Sequence, residues 1–463
     1  MKYTNTMRKL LFTFSFIILG SSAIAQPTIN SPYSSFGIGE LGGLDHATML
    51  GMGNSTITAI DSFTVNYFNP ASYNQLAAGQ PLFSLGISSR LSNYSSGSES
   101  SFSNVTALQH FAMAFPIRKN FGLAFGLKPY SRKGYEVTTR SLLGSDSLKY
   151  TYSGSGGFND VFIGLSGDLL APFKLDSTSL SIGANFGYLF GEATDLRSST
   201  LTASGSDFTG GIDLTTIQAS SFHYNLGLSL SHDFRQGDSS KFQHALLLSA
   251  TLEPSQNLRA TSEYGRYYSI NVNDPAFYDT LFYQKYDADR IVSAADLAIG
   301  LRYTLNRPSK KNDKHRLNSQ LAVHATYRST NWTNFSIPFD GDSTLYLATT
   351  GFNFGLQYIP EVGFLSNRTL TKFHERMRYR VGAYYNTLPY TAGGEQVTDF
   401  GTTFGLGLPI AVRSSVSSVN FGFSFGQRGV SDATQLKEQY YGINFGITIS
   451  PVGDRWFQKR KLD

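Results

Sequence analysis

From about residue 81 the chain repeats one pattern, ten to fourteen residues long, with apolar side chains at every second position and small or polar ones between. Fourteen such segments are read, at 81–94, 105–115, 119–130, 158–170, 179–191, 219–232, 242–254, 293–305, 316–328, 349–360, 377–387, 398–411, 417–428 and 437–450. In the fifth, Leu180, Ile182, Ala184, Phe186, Tyr188 and Phe190 share one face, and Ser181, Gly183, Asn185 and Gly187 share the other. Side chains on a strand alternate between its faces, so each segment is a strand with one greasy and one polar or bare face. A soluble sandwich also alternates, but its strands commonly run to about five or six residues. Strands of about ten residues match a tilted membrane crossing, and apolar rows almost free of charge match a lipid-facing surface. With no Pro/Ser-rich linker to divide it, a sheet this large is best closed on itself. The expectation is an all-β, 14-stranded antiparallel transmembrane outer-membrane β-barrel.

The start of the chain reads as export signal. Lys2, Arg8 and Lys9 precede the apolar run LLFTFSFIILG, which is too short to span a bilayer as a helix, and Ala23-Ile24-Ala25 forms an A-x-A cleavage site. Cleavage after Ala25 removes three basic residues, so the formal charge falls from +5 to 35 − 33 = +2 and gives no support to nucleic-acid binding. The absence of cysteine leaves neither disulfides nor thiolate metal sites. The organisation read is 1–25 signal peptide, 26–80 plug, 81–450 barrel and 451–463 periplasmic tail.

Outer-membrane barrels have short turns on one side and long loops on the other. With the N-terminus periplasmic, PIRKN, APFKLDST, DFRQGDSSK and AVRSS fall on the periplasmic side. The connections 131–157, 192–218, 255–292 and 329–348 are expected as outer loops. The turn 361–376, EVGFLSNRTLTKFHER, is long for the periplasmic side.

Motifs for chemistry are incomplete. Gly51-Met52-Gly53 lacks the rest of a phosphate loop and its strand–helix context. HERMR at His374 has Arg378 where a zinc helix needs its second histidine. DGDSTLYLATTG from Asp340 ends on Gly351 rather than the bidentate glutamate of a calcium loop. No cofactor, metal or catalytic residue is assigned, and the chain is read as non-enzymatic. The inward face carries His110, Asp296, Arg302, His324, Arg328, Arg378 and Arg380, read as lining the lumen. That face is also rich in glycine, including Gly122, Gly183, Gly227, Gly355, Gly405 and Gly422. Glycine in a strand often marks the close approach of another backbone, and residues 26–80 are the candidate occupant.

The stretch LGMGNSTITAIDSFTVNYFNPASY resembles the N-terminal signature of the long-chain fatty-acid and hydrocarbon outer-membrane transporters, the FadL-like family. NSPYSSFGIGELGG and DRWFQKRKLD resemble Bacteroidetes-type members. The resemblance implies a 14-stranded barrel whose N-terminal segment forms a hatch inside the lumen, with Gly51, Gly53, Asn69, Pro70 and Ala71 as its motif here. It implies capture of an apolar molecule at the outer loops, transfer to the hatch and sideways release into the membrane through a gap near the third barrel strand. Pro129, which removes a ladder donor, is the candidate wall break. The partners implied are outer-membrane lipid and a hydrophobic small molecule such as a long-chain fatty acid. Barrels sharing this signature also include shuttle proteins of type IX secretion, so a secretion-system protein is the alternative partner.

Overall fold

The computed structural model describes residues 29–451 apart from 43–45, 78–80, 119, 144–145, 174, 176, 203–209, 235–241, 273, 308–317, 340–345, 363–371, 393, 413–414 and 431–435. The expected signal peptide, nearly all of the tail, the DGDST loop start and most of the 361–376 turn lie outside the described residues. A two-residue strand β1 (Glu40–Leu41) belongs to the N-terminal segment. The strands that follow are β2 (Leu82–Ser96), β3 (Glu99–Arg118), β4 (Phe121–Leu143), β5 (Asp146–Asp168), β6 (Thr178–Thr202), β7 (Gly210–Phe234) and β8 (Gln243–Glu253). Then come β9 (Asn257–Ser269), β10 (Tyr278–Val292), β11 (Ala295–Arg307), β12 (Ser319–Asn331), β13 (Thr349–Ile359), β14 (Arg378–Ala392), β15 (Glu395–Val412), β16 (Ser415–Arg428) and β17 (Lys437–Ile449).

Strands β2–β8 and β11–β17 form the closed 14-stranded antiparallel barrel, sealed where Phe445 of β17 opposes Ile87 of β2. The alternation places the apolar rows outside: Ile182, Phe186 and Phe222 are 47%, 55% and 78% exposed, and Leu228, Ile299, Phe404 and Ile443 are exposed with them. In water such a continuous apolar girdle would be untenable, whereas in a bilayer it is the solvated face. The chain is therefore an outer-membrane barrel.

Three of the four connections expected as long loops are ladder instead. The described residues of 131–157, 192–218 and 255–292 largely continue the strands upward, with Thr139 opposite Tyr150, Leu196 opposite Leu214 and Gln284 opposite Tyr264. These stretches keep their Thr, Ser and Tyr but lose the apolar face. The hydrophobic period disappears while the backbone pairing persists. At Pro254-Ser255-Gln256 the wall bends, so β7 pairs with β8 below and with β9 above.

The described residues of 29–77 enter the lumen, and several rest on the wall's inward glycines. Gly51 Cα lies 2.8 Å from where a Cβ on Gly405 would stand, and Asn69 Oδ1 and Pro70 Cδ lie 2.5 and 2.9 Å from a Cβ on Gly227. A side chain cannot enter either contact without moving backbone. Replacing Gly227 with Val should therefore dislodge the plug or strain the wall, at a cost of about 1–3 kcal/mol or more. Gly167, where an added Cβ meets nothing nearer than 3.8 Å, supplies the control. Thermal unfolding should show a lowered midpoint for Gly227→Val and little change for Gly167→Ala.

Candidate functional site

In the plug, side-chain hydrogen bonds around Asn69-Pro70-Ala71 take the place of a ladder. In DSFTVNYFNPASY, Asn66 donates to the carbonyls of Thr56 (2.8 Å) and Ala59 (3.2 Å) and accepts from Phe68 N–H. Asn69 donates to the Ile57 carbonyl (2.9 Å) and to Ser229 Oγ on the wall (3.1 Å), while its Oδ1 accepts from Ala71 N–H. Asn69 thereby caps the 3₁₀ turn Pro70–Gln75, with Pro70 at the first position where its missing N–H costs nothing. Tyr73, fully buried, donates to Asn185 Oδ1 at 2.9 Å. Upstream, Gly53 (φ +63°) and Asn54 (φ +58°) turn the chain, and Gly53 N–H donates to Thr403 Oγ1 at 2.9 Å.

Of the seven inward candidates, five are engaged with the plug or held in the wall beside it. Arg302 donates to the Thr58 (3.2 Å) and Ile60 carbonyls, and His324 Nδ1 meets Thr58 Oγ1 at 2.9 Å. Arg378 pairs with Asp61 at 3.3 Å, and Arg380 reaches Gln357 (2.9 Å) and Asn420 (3.1 Å). His110 meets Ser84 at 2.9 Å and stacks on the plug's His46 at 4.7 Å. Both hydroxyl–imidazole pairs are sealed between plug and wall, out of a substrate's reach. Asp296 and Arg328, 3.2 Å apart, instead line an open cavity. No group of His, Cys, Asp and Glu able to hold a metal occurs among the described residues.

Among the described residues the wall is incomplete between β3 and β4. Strands β3 and β4 pair only from Phe111 opposite Leu127 down to Arg118 opposite Phe121. Beyond Leu127, β4 pairs on one side with β5 throughout, but its other edge leaves β3. Pro129 stands two residues past the last β3 pair, where the β4–β5 register also shifts. It does not end the strand, which runs on to Leu143. The plug covers this edge: Glu40 and Leu41 pair with Arg132 and Ser131, Gly42 N–H donates to the Tyr130 carbonyl (2.7 Å), and Ser31 N–H donates to that of Gly134 (2.8 Å). Arg132 also donates to the Leu108 carbonyl across the gap.

A cavity of about 310 Å³ lies between this plug segment and the wall. Leu41, Phe68, Tyr130, Trp332 and Phe335 line it, as do Lys128 and Pro129 at the gap edge.

Sequence reading missed the charge cluster that anchors the plug's first segment. Glu40 meets Arg428 (2.5 Å) and Arg90 (3.4 Å), Arg90 meets Glu438 (3.0 Å), and Arg428 meets Asp399 (2.9 Å). Burial alone would raise the Glu40 carboxyl, but Arg428 and Arg90 outweigh it and hold its pKa below the ordinary range. The only advance signal was a charged residue on the polar face of each strand, and register alone brings those faces together.

The sequence profile of the BamG family matches residues 7–463. The chain belongs to the BamG family. No curated protein matches this BamG-family chain. Its fold resembles the toluene transporter TbuX of Ralstonia pickettii (12% identity, TM-score 0.50, covering 89% of this chain and 99% of that one). Similar solved structures include the toluene transporter TodX of P. putida (14%, TM-score 0.48, 89% and 99%) and a Pseudomonas aeruginosa FadL homologue (11%, TM-score 0.47, 87% and 97%).

His46 gives the plug a pH signature. Burial, aided by Arg380, lowers its pKa from 6.5 to about 4. The unfolded or undocked chain then binds the proton more readily, so the contribution of His46 to docking stability is complete above about pH 6.5 and is lost as pH falls toward about 4. Hydrogen exchange of residues 46–60 should quicken over that window, and His46→Gln should weaken the dependence without abolishing it, since His110 and His324 also meet the plug.

Proposed function

We propose that this barrel conducts hydrophobic small molecules from the cell exterior and releases them sideways into the outer membrane between β3 and β4. The observation that carries this reading is that the cavity reaches Lys128 and Pro129, the first residues beyond the last β3–β4 pair. A ligand leaving there enters hydrocarbon without crossing a water-filled channel. The plug residues Gly51, Gly53, Asn69, Pro70 and Ala71 close the periplasmic half, and β1 lies across the exit as its movable part. Long-chain fatty acids are one member of the ligand class. The toluene transporter TbuX, of like fold, supports the class rather than any member of it. The Bacteroidetes affiliation rests on NSPYSSFGIGELGG and the tail sequence alone.

A second reading, a barrel that scaffolds or shuttles protein, draws on β10. Among the described residues this strand pairs along its length only with β9, leaving a free edge with Leu281, Phe282 and Tyr283 exposed. A free edge is a template for an extended segment of another chain.

The chain contains no cysteine, so an engineered pair reports cleanly. Leu41→Cys with Ser131→Cys, opposed across β1 and β4, should lock the strap when oxidised. Uptake of a hydrophobic probe such as toluene should fall at least tenfold and return on reduction; uptake indifferent to the lock would refute lateral release at this gap. Deleting residues 26–68 should leave an assembled barrel that leaks small solutes. Mass spectrometry of the barrel purified in mild detergent should recover hydrophobic molecules, and recovery of a secretion partner alone would favour the second reading.

A further inference from the structure

The polar groups facing the cavity do not cancel. The ladders set Leu226 opposite Leu252, Glu253 opposite Asp296 and Asp296 opposite Thr330. Asn225, Glu253, Asp296 and Thr330 therefore stand in one row across β7, β8, β11 and β12, and all four line the cavity. Asp296 is satisfied by Arg328 at 3.2 Å and by Thr330 at 2.7 Å. Lys128 is held by Asp160 at 3.5 Å. Glu253 has no Lys or Arg within ion-pair distance among the described residues, and its nearest cationic candidate is His223 Nδ1 at 3.9 Å. His223 is 6% exposed and that nitrogen makes no hydrogen bond; Asn225 Oδ1, also buried, has no partner either.

The row is thus short of donors. A bare hydrocarbon would strip water from Glu253 and leave Asn225 Oδ1 unpaired, and burying unpaired polar groups is costly. A carboxylate head would bring like charge against Glu253 and Asp296. An ammonium head carries three donors and a positive charge, and Tyr130, Trp332 and Phe335 on the same cavity wall supply apolar surface and ring faces that attract cations.

We propose that the cavity selects amphipathic molecules with a cationic, hydrogen-bond-donating head of the primary alkylammonium type. The head sits between Glu253 and Asn225, and the chain lies against Tyr130, Trp332 and Phe335. This rests on the reading that the cavity holds a hydrophobic ligand, and it gives that ligand a polar end opposite in charge to a fatty acid's.

The chain has two tryptophans, so Trp456→Phe leaves Trp332 as sole reporter inside the cavity. In this background the full barrel is titrated with octylamine, octanoate and toluene at neutral pH. Octylammonium should bind at least tenfold more tightly than octanoate. Glu253→Gln should reduce the octylammonium-to-toluene affinity ratio about tenfold, and Asn225→Ala should move it in the same direction, each variant first checked for heat-modifiable migration as a folded barrel. Octanoate binding as tightly as octylammonium, or a ratio unmoved in both variants, overturns the inference while toluene binding leaves the channel reading standing. No response of Trp332 to any of the three overturns both.

Discussion

Backbone laid on backbone governs this molecule. The plug has almost no ladder of its own, so it must be held by the wall, and it is held where glycine lets two main chains approach as if no side chain lay between. Gly51 against Gly405, Met52 against Gly355 and Pro70 against Gly183 and Gly227 fix its position around the lumen. Asn66 and Asn69 then satisfy the carbonyls that a folded-back chain would otherwise leave bare, as buried backbone polar groups require. Arg302 does the same from the wall, which is why an arginine on an inward face serves a structural carbonyl cluster rather than a water-filled pore.

The same constraint explains why the gap between β3 and β4 is tolerable. An exposed strand edge in a membrane leaves donors and acceptors without partners. Here β1 and its neighbours pair with the outer part of β4, and the ion cluster around Glu40 ties that segment to β2, β15, β16 and β17. The edge is covered by a segment that is not part of the barrel ladder. Withdrawing such a cover would break a few hydrogen bonds and one charge cluster, whereas opening a continuous wall would break a full ladder.

Much of the barrel was legible in the residues because lipid imposes a period on the side chains that face it. The fifth, sixth and last segments show it plainly, and each corresponds to a strand: β6, β7 and β17. The pattern failed above the membrane. The segment EVTTRSLLGSDSLKYTYSG reads as loop because water on both faces removes the apolar alternation, although β4 and β5 pair within it from Glu136 opposite Ser153 to Leu143 opposite Asp146. The inward residues were visible as polar positions, but their work was not. His324 and Arg302 meet Thr58, Arg378 meets Asp61, and Asp296 and Arg328 meet each other across β11 and β12, and nothing in the local sequence distinguishes these cases.

By itself the sequence determined the class of fold, the count of crossings and the presence of a close-packed occupant in the lumen. These follow from one-dimensional regularities: a period of two, a strand length and a row of glycines. Tertiary structure alone decided that β3 and β4 part above Leu127, that Glu40 is clamped by arginines some fifty and nearly four hundred residues away, and that Asn225, Glu253 and Asp296 form one row on a cavity wall. The reason is register. A strand's sequence says which side chains point inward, but only its pairing with neighbours says at what height they stand and what they face.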